Sequence, residues 1–314
     1  RTVRAVAAAK ATLEAGFTTL RDLGTEGAGF ADVALRDAVA AGIVPGPRIV
    51  AVTRAIVATG CYGPAGFDPR WAVPQGAQVA DAVDGVRKAV REQIAAGADW
   101  IKVYADFPRR KGDPATATFS QDELNAIVDE ARTAGLPVAA HAVGDEGIRR
   151  AVLAGVASIE HGYLAGDKVL ALMCERGVVL CPTLAAAEAY ARYDGWKPGR
   201  PDHPRIVETK AMFGRALRLG VTIACGSDAG VFAHGDNARE LELMVAYGMS
   251  PPEALRAATL AAAKVLRREN DLGRAAAGCL ADLIAVRGNP LEDVSVLRKP
   301  LVVFKEGHLI ADRR

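Results

Sequence analysis

The sequence predicts an α/β fold of parallel β/α units, either a closed barrel of the (β/α)8 TIM type or a doubly wound sheet, followed by a small β-rich tail. Short β-branched runs recur along the 314 residues, and each leads into an Ala-rich helical stretch. Most helical stretches stop at a glycine, the residue that turns a helix end through left-handed backbone into the next strand. Right-handed crossovers then leave those two parallel architectures.

The strands are expected at Thr18–Asp22, Arg48–Ile56, Trp100–Ala105, Val138–Ala142, Ser158–His161, Val178–Thr183 and Val221–Ser227. Amphipathic helices are expected at Val79–Ala96, Gln121–Ala134, Gly147–Ala154 and Glu208–Leu219. The stop signals are Gly16, Gly97, Gly135, Gly155 and Gly220. Seven strands are one short of a TIM-type barrel. After the last, Ser250-Pro251-Pro252-Glu253 has the makings of a capping box, with proline tolerated in the first turn, so a helix should run to about Leu266. Strands at Ala281–Val286 and Leu301–Phe304 then suggest part of a separate small sheet. This divides the chain into 1–278, the barrel, and 279–314, the C-terminal part of a small β-sheet domain.

Composition narrows the function. A formal net charge of +2 and short, scattered basic clusters (Arg109-Arg110-Lys111, Arg267-Arg268) argue against a nucleic-acid surface. No apolar run reaches the roughly 18 residues that cross a membrane. Cys61, Cys174, Cys181, Cys225 and Cys279 are odd in number and form no Cys-x-x-Cys, so neither a disulfide framework nor a thiolate metal site is expected. Most lie in apolar runs and should be small buried hydrophobes. Arg1 opens directly into a helix-like stretch without an initiator Met, so the start is expected to be missing. A cytoplasmic setting is favoured, with an upstream export signal left open, and a homo-oligomer is expected.

In such folds chemistry collects at the C-terminal ends of the strands. Four of those ends carry metal-competent groups: Lys102, His141, His161 and Asp228. A lysine within the apolar run Trp100-Ile101-Lys102-Val103 is costly, because burial disfavours the ammonium. A neutral amine can add CO2 to become a carbamate, an anionic oxygen ligand able to bridge two ions. The same lysine could instead bury its stem and reach water with its head. A lone strand histidine is more often a hydrogen-bonded core residue, but His141 and His161 end consecutive units and would be neighbours at the rim. Asp228, ending the run from Val221, could cap the next helix or could take a proton from attacking water.

The order Lys, His, His, Asp on successive strand ends resembles the amidohydrolase superfamily, in its imidazolonepropionase-like and prolidase-like branch. Gly97-Ala98-Asp99-Trp100-Ile101-Lys102, Ile159-Glu160-His161-Gly162, Gly226-Ser227-Asp228-Ala229 and Leu280-Ala281-Asp282-Leu283-Ile284-Ala285-Val286 carry the likeness, which covers essentially the whole chain. The resemblance implies a closed (β/α)8 barrel and two divalent ions, zinc or else Mn, Co or Fe, bridged by carboxylated Lys102. His141, His161 and Asp228 would be further ligands, with Asp228 also the general base. Water held there would ionise near neutral pH. It implies hydrolysis of the C–N bond of a small amide: a dipeptide such as Xaa-Pro, an N-acyl amino acid or a cyclic amide. The family's His-x-His on its first strand occurs nowhere in the 314 residues, so the absent strand is expected to be the first, and the more buried ion would keep only Asp228 and the carbamate.

On the substrate side, Tyr104 lies two residues beyond Lys102 and should share its face, its hydroxyl offered to a developing oxyanion. Tyr62 stands where related sequences carry a histidine that touches the substrate carbonyl. Two long loops, Tyr62–Gly76 and Ala185–Arg205, should shape the pocket, the second carrying Tyr190, Tyr193, Trp196 and His203. His234 follows the last strand closely enough to reach substrate. Two rivals remain: a Schiff-base lyase using Lys102, which needs neither the histidines nor Asp228, and a non-catalytic barrel scaffold.

Overall fold

The computed structural model describes residues 1–314 except 64–66, 69, 72, 74 and 111. In chain order it runs α1 (Thr2–Glu14), β1 (Thr19–Asp22), α2 (Ala31–Ala40), β2 (Arg48–Ala51), β3 (Ile56–Val57), β4 (Gln78–Val79), α3 (Ala82–Ala95) and β5 (Ile101–Tyr104). A hairpin of β6 (Asp106–Pro108) and β7 (Ala115–Ala117) follows, then α4 (Gln121–Thr133), β8 (Val138–Ala142), α5 (Asp145–Ala154), β9 (Ser158–His161), α6 (Asp167–Arg176) and β10 (Val179–Cys181). The remainder is α7 (Leu184–Tyr193), α8 (Pro204–Arg218), α9 (Arg239–Ala246), α10 (Pro251–Arg256), α11 (Ala262–Val265), β11 (Leu283–Ala285), β12 (Val302–Lys305) and β13 (His308–Asp312).

The main sheet has the order β10-β9-β8-β5-β3-β4, parallel throughout. Strands 5, 8, 9 and 10 sit side by side in chain order without a reversal. That is the layout of a singly wound β/α wall and not of a doubly wound sheet. β1 and β2 form a separate parallel pair, and among the described residues no sheet closes on itself. The outer face of the wall carries the core: Ile56, Val103, Ile127, Ile148, Ile159 and Leu170 are fully buried in one cluster with the flanking helices.

Local chemistry explains most boundaries. Ser120 and Glu123 form a capping box on α4, and Ser250 and Glu253 form the expected one on α10. The helix from Ser250 reaches Val265 as expected, but through a π-helical turn at Ala257–Ala261. All five predicted stop glycines have positive φ, from 72° to 97°. Gly155 shows the reason: it caps α5 at φ 94° and ψ 35°, where a Cβ would be strained.

Several expectations are corrected. Arg48–Ile56 is two strands, because Thr53 turns left-handed (φ 67°) with its N–H donated to the buried Asp32 carboxylate at 2.6 Å. Val221–Ser227 makes one bridge only, Leu180 to Ile223, since Cys225 N–H turns instead to Ala257 O. The Ala185–Arg205 loop is helical over most of its first half, as α7, and α8 begins at Pro204 rather than Glu208. The helix expected from Val79 starts at Ala82, because Val79 pairs with Val57. Only Cys181 of the five free cysteines is buried, and Cys174 lies on the exposed side of α6. The 62–76 loop lies partly outside the described residues, as does Lys111 of the basic cluster. The tail is a three-stranded antiparallel sheet, and Arg48 beside β1 ties it down by pairing with Asp282 and Glu306. Among the described residues no helix is long and apolar enough to cross a membrane.

Candidate active site

Strand register brings the chemistry together. β5 pairs with β8 so that Lys102 lies opposite Ala139 and Tyr104 opposite His141. β8 pairs with β9 so that Ala142 lies opposite His161. Residues paired across a sheet share a face, and alternation puts Lys102 and Tyr104 on the same one. His141 accordingly stacks on Tyr104 with centroids 4.4 Å apart; His161, which register alone would put on the face of Ala142, still meets His141 edge-on at 4.7 Å. Lys102 Nζ lies 5.7 Å from the centre of the Tyr104 ring.

Simple alternation would turn His161 away from His141. Its φ of 76° swings it back. Glu26, Tyr62, Thr183 and Asp228 are also left-handed, with φ between 49° and 55°. Such backbone is costly for residues with a Cβ and collects where function demands it. Thr183, buried just before α7, bonds His161 Nδ1 at 2.8 Å and the Tyr163 hydroxyl at 2.7 Å. This leaves His161 Nε2 as the nitrogen available to a ligand. Buried Glu240 accepts from the N–H groups of Leu184 and Ala185 at 2.9 and 2.7 Å, which fixes the start of α7 and hence Thr183.

Electrostatics favour neutral donors. Desolvation, then His161 and Lys102, hold His141 well below the ordinary histidine range. Desolvation pushes His161 down to about 4, against the opposing pull of Asp228. Both imidazoles are therefore unprotonated at pH 7 and need release no proton to bind a cation. Burial lowers Lys102, while Glu160 and Asp228 favour its ammonium only through space. Burial, with Glu26 and Asp228 next, raises the Tyr104 hydroxyl, which stays a donor.

The other candidates divide. Asp228 is exposed at the mouth, where its charge reaches Lys102, His161, Tyr104 and Tyr190. Tyr62 joins Tyr104 at 4.8 Å and Phe107 at 5.9 Å in an aromatic wall. His234 sets Nδ1 3.4 Å from Thr12 Oγ1 of α1, with Nε2 on the side of Gly230, two residues beyond Asp228, and desolvation lowers its pKa. The structure adds residues that the sequence reading passed over: Thr183, Phe107, Asp106 and Glu26. Buried Asp106 accepts from Val143 and Gly144 N–H and stands 3.8 Å from His141 Nε2. Glu26 is exposed at the rim, yet desolvation by the walls, with Asp228 next, raises it to about 7.

Among the described residues no three His, Cys, Asp or Glu side chains come close enough to hold a metal by themselves. Two imidazoles underfill a divalent-metal shell. Two more polar groups lie buried on the face shared with Tyr104 and His141: Lys102, 3% exposed, and Glu160, which Arg21 and Ser158 already engage through Oε1. The donor set fits a divalent ion if that amine carries a carboxylate.

The chain belongs to the amidohydrolase family, which its sequence matches over residues 2–310. It is 35% identical to ochratoxinase of Aspergillus niger across 93% of the chain, and it spans 64% of that relative's length. Among solved structures it is similar to a Xaa-Pro dipeptidase with methionine bound in the active site (39% identity, TM-score 0.88), over 98% of this chain and 78% of that one. It is likewise similar to a prolidase complexed with N-methylphosphonate-L-proline (35% identity, TM-score 0.86), over 99% and 79%.

If His161 is a ligand of a divalent ion, exchanging the Thr183 hydroxyl for a methyl in Thr183→Val should loosen the His161 ring and weaken zinc binding by about 10- to 100-fold. A competition titration with a chromogenic chelator measures this, with Thr183→Ser as the control that keeps the hydroxyl. Unchanged affinity in the valine variant would show that Thr183 does not orient the ligand.

Proposed function

We propose that the chain carries the active site of a metal-dependent hydrolase that cleaves the amide bond of a small substrate: a dipeptide of the Xaa-Pro kind, an N-acyl amino acid or a cyclic amide. The observation that carries this reading is a buried lysine beside two desolvated imidazoles in ring contact at adjacent strand ends. Kinship to a dipeptidase, a prolidase and an ochratoxinase supports the amide class.

Carboxylated Lys102, His141 and His161 would hold the ion, with Asp228 at the open side. The ion supplies positive charge that lowers the pKa of water and polarises a carbonyl. Asp228 takes the proton of the attacking water and hands it to the leaving amine. Tyr104, held protonated by its surroundings, donates to the carbonyl oxygen as negative charge develops there. Tyr62 and Phe107 extend the wall beyond Tyr104 and exclude water from one side of the substrate.

Stripping metal with a chelator should abolish turnover of a dipeptide panel, and zinc or manganese should restore it. Activity that survives chelation while borohydride and a carbonyl substrate trap Lys102 would replace this reading with Schiff-base chemistry.

A further inference from the structure

Asp106 is the first residue of β6 and is 1% exposed. Its Oδ2 accepts from the N–H groups of Val143 and Gly144 at 2.9 and 2.8 Å, just before α5. Its Oδ1 shares the Val143 N–H at 3.0 Å and faces His141 Nε2 at 3.8 Å. A carboxylate has about four acceptor positions, so two backbone donors leave lone pairs to spare. A neutral serine or asparagine could cap the same N–H groups without burying a charge. The buried carboxylate therefore calls for a further donor, and His141 stands beside Oδ1.

The neighbouring helix is shaped around this group. Gly147 in the first turn of α5 comes so close that a Cβ there would lie 2.7 Å from Asp106 Cβ and 2.8 Å from its Cγ. Glycine is a poor helix former, and here it makes room for the carboxylate. Burial raises Asp106 only to about 6, so near neutral pH it is an acceptor. His141 is uncharged there and carries one N–H, on Nε2 or on Nδ1.

We propose that Asp106 is a positioning residue for His141: its Oδ1 draws the imidazole proton to Nε2 and fixes the plane in which the ring stacks on Tyr104. At 3.8 Å the contact is longer than a hydrogen bond, and such contacts tighten as a site fills. Its effect on metal affinity rests on the hydrolase reading above, in which His141 is a ligand; the contact itself does not.

Nitrogen-15 spectra of histidine-labelled, metal-free protein read the tautomer, with the His141 signals assigned by their loss in His141→Gln. A chelator competition reads zinc affinity. In the wild type the proton should sit on Nε2. Asp106→Asn keeps the shape and one oxygen for the two N–H groups but turns an amide donor toward the ring, so the proton should move to Nδ1. Zinc affinity should then fall by about 10- to 100-fold. A wild-type proton on Nδ1 would overturn the proposal, and this reading stands whether or not Asp106→Asn folds. So would a zinc-binding Asp106→Asn protein with its tautomer or its affinity unchanged. A tautomer that follows the Asp106 substitution, in protein that binds no zinc in either form, would uphold the contact and sink the metal reading.

Discussion

Lys102→Met is expected to lose bound metal and to cut turnover by about a thousandfold or more, while the protein stays folded. The side chain is 3% exposed between fully buried Ile101 and Val103. Burial works against its ammonium, so the wild-type chain carries an electrostatic cost there unless the amine is modified and ligated. Methionine fills a similar volume without that cost. The metal-free variant should therefore melt no lower than the metal-free wild type. Glu160 nearby keeps its partner, since Arg21 bonds it at 2.9 Å and Ser158 at 2.5 Å. Elemental analysis, kcat/KM on a dipeptide and a thermal melt together check this. A variant that keeps its metal and its rate would remove Lys102 from the chemistry.

Asp228→Asn should leave metal bound on the histidine side and lower kcat by about 10^2- to 10^4-fold, with a smaller change in KM. The substitution suits the backbone, which is left-handed there (φ 55°), a conformation asparagine tolerates about as well as aspartate. Asp228 is also exposed, so no buried partner is orphaned. A loss confined to KM would make Asp228 a binding group and not the proton carrier.

Lys102, His141 and His161 could be picked out as neighbours because strand ends and residue order are local properties of a sequence. Alternation alone placed Tyr104 on the face of Lys102, and the structure stacks it on His141. What local pattern could not show depends on unusual backbone. His161 faces its partner only because φ is positive, and Thr183 reaches it from a left-handed turn after β10. Nothing in the run Cys181-Pro182-Thr183 signals that role.

The same holds for the fold. Most of α7 is buried, from Leu184 to Ala189, so it has little polar face for helical periodicity to reveal, and it reads as loop beside the Gly- and Pro-rich stretch that follows. Val221–Ser227 has strand composition, but its hydrogen bonds go to single residues on either side. The contact of His234 with Thr12 was out of reach for another reason: Thr12 lies 222 positions away in sequence, on α1.

The sharpest measurement is carbon-13 NMR of zinc-loaded protein prepared with labelled bicarbonate. A carbamate resonance present in the wild type and absent in Lys102→Met, with zinc retained only by the former, is the predicted result. Zinc held equally by both proteins, with no labelled carbon attached to either, would contradict the account at its root.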